Sequence, residues 1–203
     1  PVVSKTYDGT TAHAPSASDL TALSTQLGVT GDTVSAATLS FNNKNAAAGT
    51  KVVSASGATL SDGNSGQNYS LSYASNSTST ITPKALTISG ITAADKVYDG
   101  LTTATVSTAG VTNSVLQANG LVAGDTVTVS ATGNFRNAGN SANDKNAGNS
   151  KTVLLASTYG GVDAANYNIA DQSTTTASIT AKSVTLTAPV VSKTYDGTTA
   201  YTP

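Results

Sequence analysis

A five-residue phrase whose side chains could bind a ligand occurs three times in this 203-residue chain. It reads KTYDG at 5–9 and 193–197, and KVYDG at 96–100. A tyrosine beside an aspartate could form a sugar site, in which the ring stacks on the sugar and the carboxylate accepts hydrogen bonds from its hydroxyls. The same letters also predict a tight turn, because glycine accepts a positive φ angle and aspartate tolerates turn geometry. We favour the turn over the sugar site, because each copy of a β-rich fold with a small hydrophobic core would need such a turn. The residues of this structural turn motif are Lys5, Tyr7, Asp8, Gly9, Lys96, Tyr98, Asp99, Gly100, Lys193, Tyr195, Asp196 and Gly197.

The spacing inside the phrase predicts how its side chains are placed. Lys5 and Tyr7 are two residues apart, so on a strand they share a face. We expect the tyrosine ring to cover the core while its hydroxyl finds a backbone partner. The lysine stem is expected to pack along that ring, with its ammonium group in water.

The remaining side chains do not predict an active site or a metal site. The one histidine, His13, corresponds to Tyr201 near the last copy, so we expect an exposed loop residue rather than a catalytic base. The chain has no cysteine and no glutamate, which leaves no zinc ligand set and no identifiable pair of catalytic carboxylates. The Asn/Asp-rich loop 136–149 contains a single carboxylate, Asp144, which is too few for calcium. We therefore predict no enzymatic activity, no cofactor and no metal.

The composition favours a β-rich fold with a thin core. Charged residues make up 10% of the chain, against about 25% in typical soluble domains. Every acidic residue is aspartate, and Asp, Asn, Ser and Thr favour turns and caps over helix interiors. No basic face is evident, so nucleic acid is not an expected partner. No apolar run approaches the roughly 20 residues that a membrane span requires.

Other short motifs recur in the same order after the first and second copies of the phrase. GDTV occurs at 31–34 and 124–127, KNA at 44–46 and 145–147, and NYS at 68–70 matches NYN at 166–168. The distance between successive phrases is too long for a solenoid coil of about 20–50 residues and suits a complete small domain. Shorter self-similarity, which a parallel β-helix would require, is absent from each copy.

Alternation of apolar residues places strands in 50–56, 125–135 and 152–157. The alternation changes phase near 82–84 and near 180–182, which indicates joints between units. We therefore predict a first repeat over 1–83 that lacks its leading strand, a second over 84–181, and the start of a third over 182–203.

One helix is predicted within 16–28, with Ser18 as its N-cap and Gly28 as its end. The corresponding stretch of the second copy is weaker because Gly120 interrupts it. The fold class that we predict is mainly β, with tandem small Ig-like β-sandwich domains in an elongated array. A β-grasp-like domain with one short helix is the alternative.

The ordered set KTYDGTTA, GDTV, KNAGNSKTV, NYNI and SITAK resembles the YDG-type repeat of bacterial surface adhesins of the filamentous haemagglutinin type. Such proteins are exported by two-partner secretion, and the resemblance extends over nearly the whole chain. It implies a stalk or spacer on the surface of a Gram-negative bacterium, whose partners are neighbouring repeats of the same chain. Two alternatives stay open: an adhesive module that binds cell-surface glycans or polysaccharide, and a self-association repeat.

The segment 182–200 carries a strand pattern with no complete domain after it. We expect this tail either to be disordered or to complete a sheet in a neighbouring molecule.

Overall fold

The computed structural model describes residues 1–201 and is mainly β, as predicted. We refer to residues 1–82 as the N-terminal half and to residues 83–180 as the C-terminal half. The N-terminal half contains β1 (Ser4–Thr6), β2 (Ala12–His13), α1 (Ala17–Ser24), β3 (Thr33–Phe41), β4 (Ala47–Ser61) and β5 (Asn76–Thr82). The C-terminal half contains β6 (Lys84–Thr87), β7 (Thr92–Ala93), β8 (Lys96–Val97), β9 (Thr103–Ala104), β10 (Val106–Ser107), α2 (Asn113–Ala118), β11 (Thr128–Phe135), β12 (Gly148–Gly160), β13 (Tyr167–Ala170) and β14 (Thr174–Thr180). Short 3₁₀ turns follow α1 at Thr25–Leu27 and precede β13 at Ala164–Asn166.

Each half is built on a five-stranded sheet, and the two sheets have equivalent strand orders. The order is β1-β5-β4-β3-β2 in the N-terminal half and β8-β14-β12-β11-β9 in the C-terminal half. The strand before each YDG turn lies parallel to the last long strand of its half, with Lys5 opposite Ile81 and Lys96 opposite Ile179. The strand after the turn joins the opposite edge of the same sheet. The phrase therefore connects the two edges of its sheet.

The predicted Ig-like sandwich is not what the described residues form. The N-terminal half has one sheet with α1 packed on β3, rather than two facing sheets. The C-terminal half adds two short two-stranded sheets, β7–β10 and β6–β13. Buried side chains of both halves, including Ile81 and Phe135, belong to one connected hydrophobic cluster. The two halves therefore share one connected hydrophobic core.

The predicted helix forms, but its N-cap is Ser16 instead of Ser18. The Ser16 hydroxyl accepts the Asp19 backbone N–H at 3.2 Å, and the Asp19 carboxylate accepts the Ser16 N–H at 2.8 Å. This reciprocal capping box decides where the helix starts, because it satisfies two free N–H groups at once. Gly28, with φ of 71°, follows the last turn as expected. In the weaker second copy, α2 starts after Thr112, whose side chain caps it.

His13 is not the exposed loop residue that we expected. It lies in β2, and its side chain is largely covered. Its Nε2 lies 3.1 Å from the Asp19 carboxylate, and its ring meets the edge of Phe41. The aspartate that caps α1 thus also contacts the histidine on the neighbouring strand.

Strands end near both places where the alternation changes phase. Strand β5 ends at Thr82 and β6 begins at Lys84, while β14 ends at Thr180. Residues 181–201 form no helix or strand, and all of them are exposed. Residues 202 and 203 of the predicted third repeat lie outside the described residues. None of the helices over residues 1–201 is long and apolar enough to cross a membrane.

Candidate functional site: a junction between the two halves

The lysine of the phrase closes the turn that follows it. Lys5 Nζ donates to the Asp8 carboxylate at 2.7 Å and to the carbonyl oxygens of Thr10 at 2.8 Å and Ala12 at 2.7 Å. An ammonium group has three N–H donors. The lysine therefore spans the turn and holds both sides of it, an arrangement that we call the lysine clamp.

The same clamp forms in the other two copies. Lys96 donates to Asp99 at 2.8 Å and to two later carbonyl oxygens, and Lys193 donates to Asp196 at 2.7 Å and to the carbonyl oxygen of Ala200. The expectation of an ammonium group in water was therefore wrong. In the first two copies, the lysine lies over a phenylalanine ring rather than along the tyrosine of the phrase.

The aspartate and glycine shape the turn itself. Asp8 accepts the backbone N–H of Thr10 at 2.9 Å, which is an Asx-type turn. Burial acts to raise the pKa of Asp8, but the hydrogen bonds from Lys5 and Thr10 outweigh it and hold the pKa below its usual range. Gly9 follows with φ of +79°, and Gly100 has φ of +81° at the same position of the second copy. The phrase therefore forms a local turn, as the Asp-Gly pair predicts.

Tyr7 reaches from the N-terminal half into the C-terminal half. Its side chain is buried, with 1% exposed, and its hydroxyl donates to Asp125 Oδ2 at 2.7 Å. Its ring meets the ring of Tyr167 edge-on, with the centroids 5.5 Å apart. We expected a backbone partner, but the acceptor is a carboxylate 118 residues away along the chain.

Asp125 is the centre of this contact and accepts three donors. Besides Tyr7, the Tyr167 hydroxyl donates to Oδ2 at 2.6 Å and Lys44 Nζ donates to Oδ1 at 2.8 Å. Burial acts to raise the pKa of Asp125, but the hydrogen bonds from Lys44, Tyr167 and Tyr7 hold the pKa below its usual value. The carboxylate is therefore kept ionised inside the protein by partners from both halves.

Further contacts surround the central carboxylate. Lys44 Nζ also lies 3.2 Å from Asp163 Oδ1, and Asp163 Oδ2 accepts the Thr126 N–H at 2.9 Å. The hydrogen bond to Asp125 is the main cause that raises the pKa of Lys44, and the nearby Asp163 carboxylate adds to it. The Ala46 N–H donates to Asn166 Oδ1 at 2.9 Å, again across the halves. We call this set of contacts the junction.

Burial raises the pKa of Tyr7, and the hydrogen bond to Asp125 adds to the effect. The same two causes raise the pKa of Tyr167. Both phenols are therefore held in the protonated form, in which they can donate to the carboxylate.

Gly9 also belongs to the junction. A Cβ atom at this position would lie 2.8 Å from Val122 Cγ1, which is closer than such atoms normally approach. The corresponding Cβ at Gly100 would meet nothing within 4 Å. The turn of the first copy thus lies directly against the C-terminal half, whereas the turn of the second copy does not.

Sequence reasoning placed Tyr7 and Gly9 in a motif but missed their partners Lys44, Asp125 and Tyr167. These three residues belong to the recurring KNA, GDTV and NYN motifs, which served only to align the two copies. Their recurrence at similar spacing was the available signal. Each motif supplies one polar side chain, and the fold brings all of them to one place.

The equivalent residues of the other copies lie outside the junction. The Tyr69 hydroxyl donates to Asp32 at 2.6 Å, which raises the pKa of Tyr69 to about 12. No lysine in residues 1–201 bonds to Asp32. Tyr98 is partly buried at the edge of the core, and Tyr195, in the tail, is 93% exposed.

The polar groups of the junction are bonded to one another. Asp125 is buried, and both of its oxygens accept hydrogen bonds from side chains of the protein. Residues 1–201 contain no cluster of three or more His, Cys, Asp or Glu side chains that could hold a metal ion. In the Asn/Asp-rich loop, Asp144 pairs with Lys151 at 2.5 Å. The geometry of the junction supports a structural role, in which hydrogen bonds and ion pairs hold the N-terminal half to the C-terminal half.

Comparison with protein families identifies one domain type, matched twice. The model of the YDG domain matches residues 1–78 and residues 82–177. Searches of curated proteins and of solved structures found no match.

Proposed function

Since the chain belongs to the YDG domain family, we propose that it is a structural spacer of a large secreted bacterial surface adhesin. In this proposal, tandem units over 1–83 and 84–181, followed by the start of a third over 182–203, extend a binding region away from the cell. Export by two-partner secretion and a location at the outer surface of a Gram-negative bacterium belong to the same proposal. They rest on the resemblance of the ordered motifs to such adhesins.

The observation that carries the proposal is the junction. A tyrosine from the first YDG phrase and a lysine from the first KNA motif meet an aspartate and a tyrosine from the second set of motifs. A spacer needs successive units to hold a fixed orientation, and a buried charged network with three donors on one carboxylate supplies this. The proposal assigns the recurring residues to holding units together, and it assigns no catalytic role.

The alternative of direct glycan binding has less support at the first copy. The ring of Tyr7 is buried against Tyr167, so no face is left on which a sugar could stack. The side chains of Tyr98 and Tyr195 are more exposed than that of Tyr7. A glycan-binding function would have to use these two tyrosines, which lie outside the junction.

A binding experiment separates the spacer from the adhesive module. The purified chain is applied to a glycan array and to intact host and bacterial cells, beside an unrelated β-rich protein as control. The spacer proposal expects no saturable binding above the control. Saturable binding that is lost in Tyr98→Ala and retained in Tyr7→Phe would overturn it in favour of a glycan site at the second copy of the phrase, residues 96–100.

A further inference from the structure

The first and last strands of each five-stranded sheet lie side by side and run parallel. In the N-terminal half, β1 pairs with β5, with Ser4 opposite Thr80 and Thr6 opposite Thr82. In the C-terminal half, β8 pairs with β14 in the same way, with Lys96 opposite Ile179. We call β1–β5 and β8–β14 the terminal pairs. The chain therefore enters and leaves each of these sheets through two strands that are bonded to each other.

The parallel direction of each terminal pair decides how tension along the chain acts on it. Tension pulls the first strand toward its N-terminal end and the last strand toward its C-terminal end. In parallel strands these directions are opposite along one axis, so the pair is sheared. The hydrogen bonds of a parallel pair are evenly spaced, so under shear they share the force and break together. Strands that are pulled apart from the same end lose their bonds one after another instead.

Hydrogen bonds continue past both ends of the terminal pair in the N-terminal half. The Val3 carbonyl oxygen accepts a backbone N–H of β5 at 3.0 Å, and the Tyr7 N–H donates to the Thr82 carbonyl oxygen at 2.9 Å. Two side chains of β5 add to these bonds. The buried Ser79 hydroxyl accepts the Val3 N–H at 3.1 Å, and the Thr82 hydroxyl donates to the Lys5 carbonyl oxygen at 3.3 Å. The bonded length of the pair therefore runs from Val3 to Tyr7.

The terminal pair of the C-terminal half has corresponding bonds. The Tyr98 N–H donates to the Thr180 carbonyl oxygen at 2.8 Å, and the Thr180 hydroxyl donates to the Lys96 carbonyl oxygen at 3.3 Å. At the other end of the pair, the Asp95 carboxylate accepts the Ser178 N–H at 2.6 Å. The same reinforced pair therefore recurs beside the first two copies of the YDG phrase.

The lysine clamp ties the first strand of each terminal pair to the far edge of its sheet. Lys5 lies in β1, and its Nζ donates to the carbonyl oxygen of Ala12 in β2 at 2.7 Å. Strand β2 is held in turn by β3, where Ala12 lies opposite Ser40. In the second copy, Lys96 of β8 reaches the carbonyl oxygen of Thr103 in β9 at 3.0 Å. The first strand can therefore slide only if the clamp opens together with the terminal pair.

We propose that the terminal pair and the lysine clamp together form a mechanical anchor that resists tension along the chain. Lys5 secures β1–β5, and Lys96 secures β8–β14. The lysine of the recurring phrase then has the same role in each half, because it holds the strand on which the force acts. This inference rests on the proposed spacer function for its use, since a spacer fixed at one end and bound at the other is under tension. The two proposals fail separately: saturable glycan binding would overturn the spacer, and the force measurements below would overturn the anchor.

Single-molecule force spectroscopy on the full chain tests the anchor of the N-terminal half. The chain has no cysteine, so pulling handles can be attached at introduced thiols. Handles at Val2→Cys and Ala85→Cys pull β1 and β5 from opposite ends, which shears the pair. Handles at Val2→Cys and Ser77→Cys pull the same two strands from one end. All three positions are exposed, so the handles replace no buried side chain.

The proposal expects shear to require at least about twice the unfolding force of same-end pulling, since evenly spaced bonds break together in shear. Forced unfolding is governed by the rate of unfolding and not by the equilibrium stability. The two directions therefore compare the resistance of one and the same fold. Equal forces in the two directions, or a lower force in shear, overturn the proposal.

A Lys5→Met variant separates an anchor from a merely stabilising lysine. Methionine keeps an unbranched side chain but has no N–H donor. The variant should unfold at least about tenfold faster in shear at constant force, since hydrogen bonds to a charged group are among the strong ones. In same-end pulling it should stay within about threefold of the parent, because the strands separate from Val3 onward before the clamp is reached. Lys96→Met, outside the pulled segment, is the matched control and should change neither rate. Equal acceleration of Lys5→Met in both directions would overturn the anchoring role of the lysine.

Discussion

Tyr7 and Tyr98 stand at the same position of the same phrase, yet their surroundings differ. Both follow a clamped lysine, and both donate their backbone N–H to the last strand of their own sheet. Tyr7 is buried against Asp125 and Tyr167 of the C-terminal half, whereas Tyr98 remains partly exposed. The difference shows that the turn is local, while the burial of the tyrosine depends on a second unit placed against it.

The third copy supports the same distinction. In the tail, Lys193 and Asp196 form the clamp at 2.7 Å although no sheet surrounds them. The clamp therefore needs only the residues of the phrase. The junction needs partners that are far away in sequence, and it can be broken without altering the turn.

The largest expected difference is between Asp125→Ala and its counterpart Asp32→Ala. Removing Asp125 leaves two buried tyrosine hydroxyls without their acceptor and Lys44 without one of its two carboxylates, so we expect a loss of about 3 kcal/mol in the free energy of unfolding. Asp32 accepts a hydrogen bond from one tyrosine only, so its removal should cost about 1 kcal/mol or less. Chemical denaturation of both variants measures the two values. Equal losses of stability in the two variants would mean that Asp125 contributes no more than its counterpart Asp32.

A smaller effect is expected for the tyrosines themselves. Tyr7→Phe keeps the ring but removes one donor to an ionised, buried carboxylate, which should cost about 1–2 kcal/mol. Tyr98→Phe removes a hydroxyl that has no hydrogen-bond partner within residues 1–201, so its cost should be about zero. Thermal unfolding of the two variants gives the comparison, and a Tyr98→Phe cost that matches Tyr7→Phe would contradict it.

The glycines of the two turns, Gly9 and Gly100, also differ in how closely the C-terminal half packs against them. Alanine is strained at both positions because φ is near +80°, but only at Gly9 would its Cβ also press on Val122. We expect Gly9→Ala to cost about 1 kcal/mol more than Gly100→Ala. Adding Val122→Ala should relieve the excess in the Gly9→Ala background. No relief in that double variant would show that the contact with Val122 is not its cause.

Titration of the junction residues changes the stability of the fold only in acid or alkali. At neutral pH it is therefore the smallest of the expected effects. The pKa of Asp125 is lowered in the folded state, so its contribution is full above about pH 4 and is lost as the pH falls through the folded value. The pKa values of Tyr7, Tyr167 and Lys44 are raised, so their contributions are present below about pH 10 and are lost as the pH rises through the folded values.

We therefore expect stability to decline on both sides of this range, and the acid decline to be shallower in Asp125→Asn. Unfolding measured from pH 2 to pH 7 tests the acid side. Identical acid profiles for Asp125→Asn and the parent would count against an ionised Asp125 in the folded protein.

The local features were predictable from the sequence because their partners are close along the chain. The Asp-Gly turn, the helix before Gly28 and the strand break near 82–84 each follow from a few adjacent residues. The N-cap was misplaced by two residues because Ser16 and Ser18 are both good caps, and only the return bond from Asp19 selects Ser16.

The junction was not predictable in the same way. Tyr7 and Asp125 are 118 residues apart, and no propensity or alternation links them. The sandwich prediction failed for a related reason, since strand count and turn signals do not specify how strands are ordered in sheets. Recurring polar residues with no local role were the one sequence feature that pointed to the junction.

The most direct test of this account is a double-mutant cycle on the junction. The free energy of unfolding is measured for Tyr7→Phe, Asp125→Asn and the double variant, beside the matched cycle of Tyr98→Phe and Asp32→Asn. We predict a coupling energy of about 1 kcal/mol or more for the first cycle and about zero for the second. Additive effects in the first cycle would contradict the claim that the YDG tyrosine joins one unit to the next through Asp125.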